Sequence, residues 1–534
     1  MSAANAQQIK QAIDAGRSAL QSGDMAGGCE HLSGIEHPEA LYLLALAKHQ
    51  LEQPDAAVEA FRHALVMQPD FTQARIALGR LLIELQRWED AVPVYETLLR
   101  SAGNDPLVRF EHATVSFGLG NYEEAEASVD ALINAGNDRP EIRFMRARAR
   151  LELGRIDDGL QDLRNAHARE PSNDSLKALA STLWMRGEND AFDTVLGQAL
   201  ENPVLVVAAA DMLRQSGRPQ QAIAAIDAAR GSQPFPIDAS EVLTQAYLDL
   251  DDADAAEQLA RDSLTGNPDN PGIKVRLISA LLMQGKADAA LDLIKPMRRS
   301  EPNAQHWIAY EATALRLLGD KQYDELVDLD RFVRSYSLPV PDGFDSLDAF
   351  NLAFLQALDR WHHYAHHPLY QSLRDGSQTS RNLTSIDDPV IQAYINALDA
   401  PIRDYMQYVG TSKAHPLTAR NTGEYRFAGS WSVKLHGGGK HVNHVHPEGW
   451  ISSAYYVAVP DEVQDTDGRA GWIKFGEPPF RSTPPTPPQK WVQPEAGLLV
   501  LFPSFLWHGT EPINDDSVRV TAPFDVVPAF TTME

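Results

Sequence analysis

A small residue, followed four and seven positions later by larger apolar ones and often by a proline at the twelfth, recurs through the first three fifths of this chain. The first instance is Ala57, Phe61, Ala64 and Pro69, followed by Ala91, Tyr95, Leu98, then Ala125, Val129, Leu132, then Gly159, Leu163, Ala166 and Pro171. These anchors stand 34 residues apart. After an imperfect unit between Phe192 and Pro203 the pattern returns as Ala222, Ile226, Ala229, Pro234, as Ala256, Ala260, Leu264, Pro268, and as Ala290, Ile294, Met297, Pro302. Residues at i, i+4 and i+7 share one face of a helix, and a period of this length belongs to a repeat array. Turn signals such as Gly120-Asn and Gly154-Arg precede several anchors. Each unit therefore reads as two antiparallel helices. The small residue lets the helices approach closely, the apolar positions form the core, and the proline closes the unit.

Over roughly residues 10 to 330 this pattern resembles the tetratricopeptide repeat family. The resemblance implies an α-solenoid over residues 1–335 whose concave surface binds a peptide or protein partner.

With 534 residues the chain exceeds what one hydrophobic core serves, so a second domain is expected. No apolar run approaches the ~20 residues needed to cross a bilayer. The opening residues also lack the basic-then-apolar pattern of a secretory signal. No membrane association and a cytoplasmic location are therefore expected. Cys29 is the only cysteine, which excludes an internal disulfide and a thiolate zinc site. The formal charge of -26 argues against nucleic-acid binding, which needs clustered Lys and Arg.

The period fades near Arg331, and Ser337-Leu-Pro-Val-Pro-Asp-Gly-Phe reads as a linker. Helical patterns follow over 349–363 and 390–408. Short strands separated by Gly and Pro come next: 427–435, 451–459, 472–475, 498–502 and 518–527. They predict a sandwich or barrel over 336–534, not a parallel sheet. The run from Glu477 to Trp491 carries six prolines and reads as a polyproline-like surface excursion, or as a rim facing a substrate.

Histidines carry the candidate chemistry. His436, His441, His444 and His446 fall within eleven residues. In an extended strand i and i+2 share a side, so His444 and His446 aim together. His508, after the strand Leu498–Phe502, can supply a third imidazole, leaving open positions opposite for an O2-using metal. Arg519 lies eleven residues further on. A guanidinium facing a core is costly unless it meets an anion, and its planar fork suits a carboxylate. His436 and His441 read as loop or supporting residues. Trp361-His-His-Tyr-Ala-His-His367 places His362 with His366, and His363 with His367, at helical i,i+4 spacing. It lacks the acid of a metalloprotease motif and reads as a helix end.

Arg374-Asp-Gly-Ser-Gln-Thr379, His444-Val-His-Pro447, Ser452-Ser-Ala-Tyr-Tyr456 and Phe502-Pro-Ser-Phe-Leu-Trp-His508, with Arg519 beyond, resemble the motifs of an iron(II)/2-oxoglutarate oxygenase family. The segment around His444 is also similar to aspartyl/asparaginyl β-hydroxylase. The resemblance covers about residues 340–530. It implies a double-stranded β-helix (jelly roll or cupin-like) with flanking helices, and Fe(II) and 2-oxoglutarate as cofactors. His444 and His508 are the implied iron ligands, and Arg519 the partner of the distal carboxylate of 2-oxoglutarate. Ser432 and Tyr455 are implied as further contacts to that cosubstrate.

The family's acid two residues after the first ligand is replaced here by His446. Three arrangements are open: His446 is a third ligand, water fills its place, or the register shifts so that His446 and Glu448 form the pair. An imidazole in place of a carboxylate leaves the site one unit more positive, which favours anionic 2-oxoglutarate. The implied reaction is hydroxylation of an unactivated C–H bond, and the solenoid suggests a protein or peptide substrate. A non-catalytic scaffold with a degenerate barrel, or a cupin-like metal protein of other chemistry, are the competing classes.

Overall fold

The computed structural model describes residues 3–103, 105–230, 237–464, 466–514 and 517–529. The chain forms two compact units, 1–170 and 171–534.

The first unit is all helical, running from Ala3–Gln21 to Ile156–Arg169. The repeat anchors form its core: Ala57, Phe61, Ala64, Ala91, Tyr95, Leu98, Ala125, Val129 and Leu132 are all buried. Smallness is needed where helices meet. A Cβ on Gly79 would stand 2.8 Å from the Tyr95 ring, closer than packed atoms approach.

The second unit opens with further helix pairs, from Asn173–Met185 to Gln305–Leu318. Across both units the repeat prolines act as stops. Pro69, Pro171, Pro268 and Pro302 each come two residues after a helix, ending at Met67, Arg169, Gly266 and Ser300. Pro234 lies outside the described residues. Ala229, read as core, is exposed, one residue before its helix Pro219–Arg230 ends.

Among the described residues eleven strands follow: β1 (Arg334–Ser337), β2 (Leu373–Gln378), β3 (Tyr425–Ser430), β4 (Val433–His441), β5 (Ile451–Ala458), β6 (Ile473–Phe475), β7 (Lys490–Val492), β8 (Leu498–Pro503), β9 (His508–Thr510), β10 (Arg519–Thr521) and β11 (Phe524–Pro528). One sheet has the order β1-β8-β5-β10-β4-β2, with β11 joining β3 to β5; a smaller one runs β7-β6-β9. Every strand pair is antiparallel, as the short strands and tight turns predict.

Three expectations are corrected. The anticipated linker begins inside β1, which pairs Arg334–Ser337 with Leu501–Leu498, and Leu338 is buried behind it. The helix expected to reach His363 ends at Asp359, so the paired histidines that follow share no helix face. The helix expected over 390–408 is two, Pro389–Ala397 and Asp399–Val409. Pro401 lacks an N–H and crowds the carbonyl four residues back, which accounts for the break.

The proline-rich excursion is docked rather than free. Phe480 stacks on Tyr310 of the last repeat helix at 6.2 Å between centroids, and Ser482 and Thr486 are buried. Arg316 donates to the carbonyls of Gly476 and Pro487, each at 2.7 Å. The Trp507 indole donates to Thr313 Oγ1 at 2.9 Å.

Candidate metal centre and anion pocket

The antiparallel sheets enclose a cavity of about 330 Å³. Its chemistry begins with a backbone bridge. His444 N–H donates to the His508 carbonyl at 2.9 Å, and His508 N–H returns to the His444 carbonyl at 3.0 Å. Residues so paired across antiparallel chains project side chains to one side. The two rings lie 4.2 Å apart between centroids. His446, two positions on, joins the same side at 5.1 Å from each.

Each ring is oriented by a bond at Nδ1. His444 donates to the Val442 carbonyl at 2.8 Å and His508 to the Leu506 carbonyl at 2.9 Å. His446 donates to the Asp525 carboxylate, with its two oxygens at 2.7 and 2.6 Å. Carbonyls and carboxylates only accept, so each Nδ1 carries hydrogen and each Nε2 of a neutral ring is left as a lone pair. Burial, with help from His446, lowers the His444 pKa to about 3, and burial drives His508 well below the usual imidazole value. Both rings are therefore neutral, as metal ligation requires.

The ligand atoms of His444, His446 and His508 all lie within 4.8 Å of one another, and the Nε2 atoms of His444 and His446 are 3.1 Å apart. At that distance His444 Nε2 can accept a hydrogen bond from His446 Nε2–H, or both nitrogens can face one cation. Imidazole nitrogens about 2.1 Å from a metal at right angles stand about 3 Å apart. The donor set fits a divalent metal ion. Ser372 Oγ lies 3.2 Å from His444 Nε2 and 3.0 Å from His441 Nδ1.

Arg519 lines the same cavity and is almost fully buried. Its Nη1 donates to the Gly471 carbonyl, while its Nε is buried with no partner. Among the described residues no carboxylate pairs with it, and burial lowers its pKa. A guanidinium in this state calls for an anion. Thr510, Thr521 and Gln378 supply further polar lining, and Tyr456 flanks it with Arg519 Cζ 5.7 Å from the ring centroid.

His444, His446, His508 and Arg519 thus converge, and two other expected residues do not. Around β4 side chains alternate: Trp431, Val433 and Leu435 pack together on the inner side. Ser432 takes the other parity, bonding His362 Nε2 at 3.0 Å outside the cavity lining. Tyr455 also points outward, donating to Asn351 at 2.6 Å; its neighbour Tyr456 faces the cavity. Glu448 is exposed at the rim and stands outside the ligand cluster, which removes the shifted register. The extra positive charge expected from His446 is also corrected, because Asp525 stands directly behind that ring. None of 477–491 lines the cavity, so the proline-rich run is not its rim. His436 is exposed on β4 and His441 lines the cavity. Of the remaining histidines, His366 and His367 flank Trp184 at 5.8 and 5.6 Å.

Sequence reasoning missed Asp525, Ser372, Trp431 and Tyr456. Asp525 had one faint signal, an acid inside an otherwise apolar last strand, Phe524–Pro528.

An antiparallel-sheet domain with a three-imidazole centre and a buried arginine, joined to helical repeats, is the class of protein that fold and site define. Family comparison agrees. Residues 429–525 match the family described as "Putative 2OG-Fe(II) oxygenase". Tetratricopeptide repeat families match 48–110, 110–174, 207–271 and 247–312. The chain combines tetratricopeptide repeats with a domain of that oxygenase family. No curated protein matches it. Among solved structures it is similar to a tetratricopeptide repeat protein from Parabacteroides merdae ATCC 43184, at 15% identity and TM-score 0.36, covering 52% of this chain and 99% of that one. It is also similar to MamA 41-end from Desulfovibrio magneticus RS-1, at 16% identity and TM-score 0.29, covering 30% and 94%. Tetratricopeptide repeats generally mediate protein–protein contacts. Among the described residues no helix is long and apolar enough to cross a membrane.

Proposed function

We propose that this chain is an Fe(II)- and 2-oxoglutarate-dependent dioxygenase that hydroxylates a protein or peptide side chain presented by its repeats in the cytoplasm. In this reading residues 1–335 are the recognition array and 336–534 a double-stranded β-helix catalytic domain. The observation that carries it is the meeting, in one cavity, of three clustered imidazole side chains and a buried guanidinium lacking an anionic partner.

His444, His446 and His508 hold the metal, and their Nδ1 bonds keep the lone pairs inward before it arrives. Arg519 pairs with the distal carboxylate of 2-oxoglutarate, and Tyr456 and Thr521 wall that end. Bound Fe(II) and 2-oxoglutarate supply the oxidising chemistry with O2, releasing succinate and CO2. The surrounding strands exclude water from the reacting groups.

The test supplies the purified chain with Fe(II), 2-oxoglutarate and air, and measures succinate with and without candidate peptides. Metal- and 2-oxoglutarate-dependent succinate is expected, stimulated by substrate, with a gain of one oxygen atom by mass. Metal binding without any succinate would sink the reading and leave a scaffold or a metal protein of other chemistry.

A further inference from the structure

Two-histidine facial metal sites carry a carboxylate as the third ligand, and the corresponding place here is an imidazole. The missing charge stands on the far side of that imidazole. We infer that Asp525 is a positioning residue for the centre. Its carboxylate fixes His446 with Nε2 toward the metal, and returns through the ring the negative charge that a carboxylate ligand supplies directly. This rests on the metal-site reading above.

Three observations carry the inference. Both carboxylate oxygens of Asp525 stand on one N–H, at 2.6 and 2.7 Å, so the bond is charge-assisted and fixes the ring's rotation. The strand that carries the carboxylate is held at both edges. Asp525 is paired on both sides of β11, with Gly429 of β3 and with Ser452 of β5, and the Trp431 ring lies 5.9 Å from the imidazole. Finally, His446 is the single cationic-capable group in ion-pair contact with Asp525 among the described residues, although its side chain is only 13% exposed. A half-buried carboxylate facing one imidazole is complemented by positive charge on that ring, which a metal on the opposite nitrogen would provide.

The charge count closes. A divalent ion with two neutral imidazoles and one carboxylate carries about one net positive charge. The same ion with three neutral imidazoles and Asp525 behind one of them carries the same. The segment Arg519-Val-Thr-Ala-Pro-Phe-Asp525 thus supplies the anion anchor from β10 and the counter-charge from β11.

The test is Co(II) titration of the metal-free full chain without 2-oxoglutarate, followed by visible absorption. Asp525→Asn keeps the shape and an acceptor oxygen but removes the charge, and Asp525→Glu keeps the charge. Loss of such outer partners weakens metal binding about 10- to 100-fold. Asp525→Asn is expected in that range, with the band shape of the saturated wild type, and Asp525→Glu is expected to bind more tightly than Asp525→Asn. Unchanged affinity in Asp525→Asn, or equal weakening in both variants, would overturn the inference. So would an altered band shape at saturation in Asp525→Asn, because Asp525 would then itself be a ligand. Wild type that fails to bind Co(II) overturns it together with the metal site. Normal Asp525 behaviour with a Co(II) band indifferent to added 2-oxoglutarate keeps the inference and sinks the oxygenase reading.

Discussion

In the helical repeats of the first unit, burial is apolar and repeated: Ala57, Ala91 and Ala125 occupy equivalent places 34 residues apart, each completely enclosed. In the strand-lined cavity of the second unit, burial is polar and occurs once. His508 and Arg519 are both buried, and Arg519 Nε has no hydrogen-bond partner. The first region is satisfied by its own side chains, and its stability is spread over many similar contacts. The second holds three clustered imidazoles and a buried guanidinium nitrogen with no protein partner. A substitution in the repeats should therefore cost stability, and one in the cavity should cost binding.

The largest effect is expected for His508→Ala. It removes one of three ligating nitrogens, and metal affinity measured by titration should fall by more than about 100-fold, beyond the loss typical of an outer partner. Retained affinity would erase the contrast at its strongest point. Phe61→Ala should lower the stability of the first unit by about 3–5 kcal/mol in denaturant unfolding, with metal affinity unchanged. Arg519→Ala leaves the metal in place but strips the anion's partner. The affinity for 2-oxoglutarate should fall by about 2–5 kcal/mol, roughly 30-fold or more, read as a raised KM for 2-oxoglutarate. The smallest effect belongs to Tyr455→Phe, which loses one outward hydrogen bond and leaves Asn351 short of a donor. About 1–3 kcal/mol of stability is expected to go, with 2-oxoglutarate affinity unaltered; a changed affinity would return Tyr455 to the site.

The two regions also differ in how much the sequence reveals. The repeat period rests on contacts within and between adjacent helices, which spacing records directly, and the buried anchors and proline stops follow from it. His444 and His446 are legible for the same local reason, since i and i+2 in extended chain share a side. His508 and Arg519 required a motif as well, because nothing local says which strands will be neighbours. Parity explains the misplacements. Ser432 and Tyr455 each lie one residue from a side chain that does face the cavity, Trp431 and Tyr456, and a shift of one reverses the face. Asp525 and Ser372 escaped notice because each acts on a histidine 79 or 72 residues away. The helix expected to continue through His362 and His363 illustrates a further limit. Favourable local propensity yields where His362 instead bonds Ser377 and Ser432 across the chain.

The central claim is that three imidazoles and one guanidinium form a single site for a metal and a 2-oxo acid. The most direct measurement is the absorption spectrum of the anaerobic chain as Fe(II) and then 2-oxoglutarate are added. A weak visible charge-transfer band should grow to one iron per chain and require 2-oxoglutarate. Iron that binds without any such band, or a band undiminished in Arg519→Ala at limiting 2-oxoglutarate, would contradict the account.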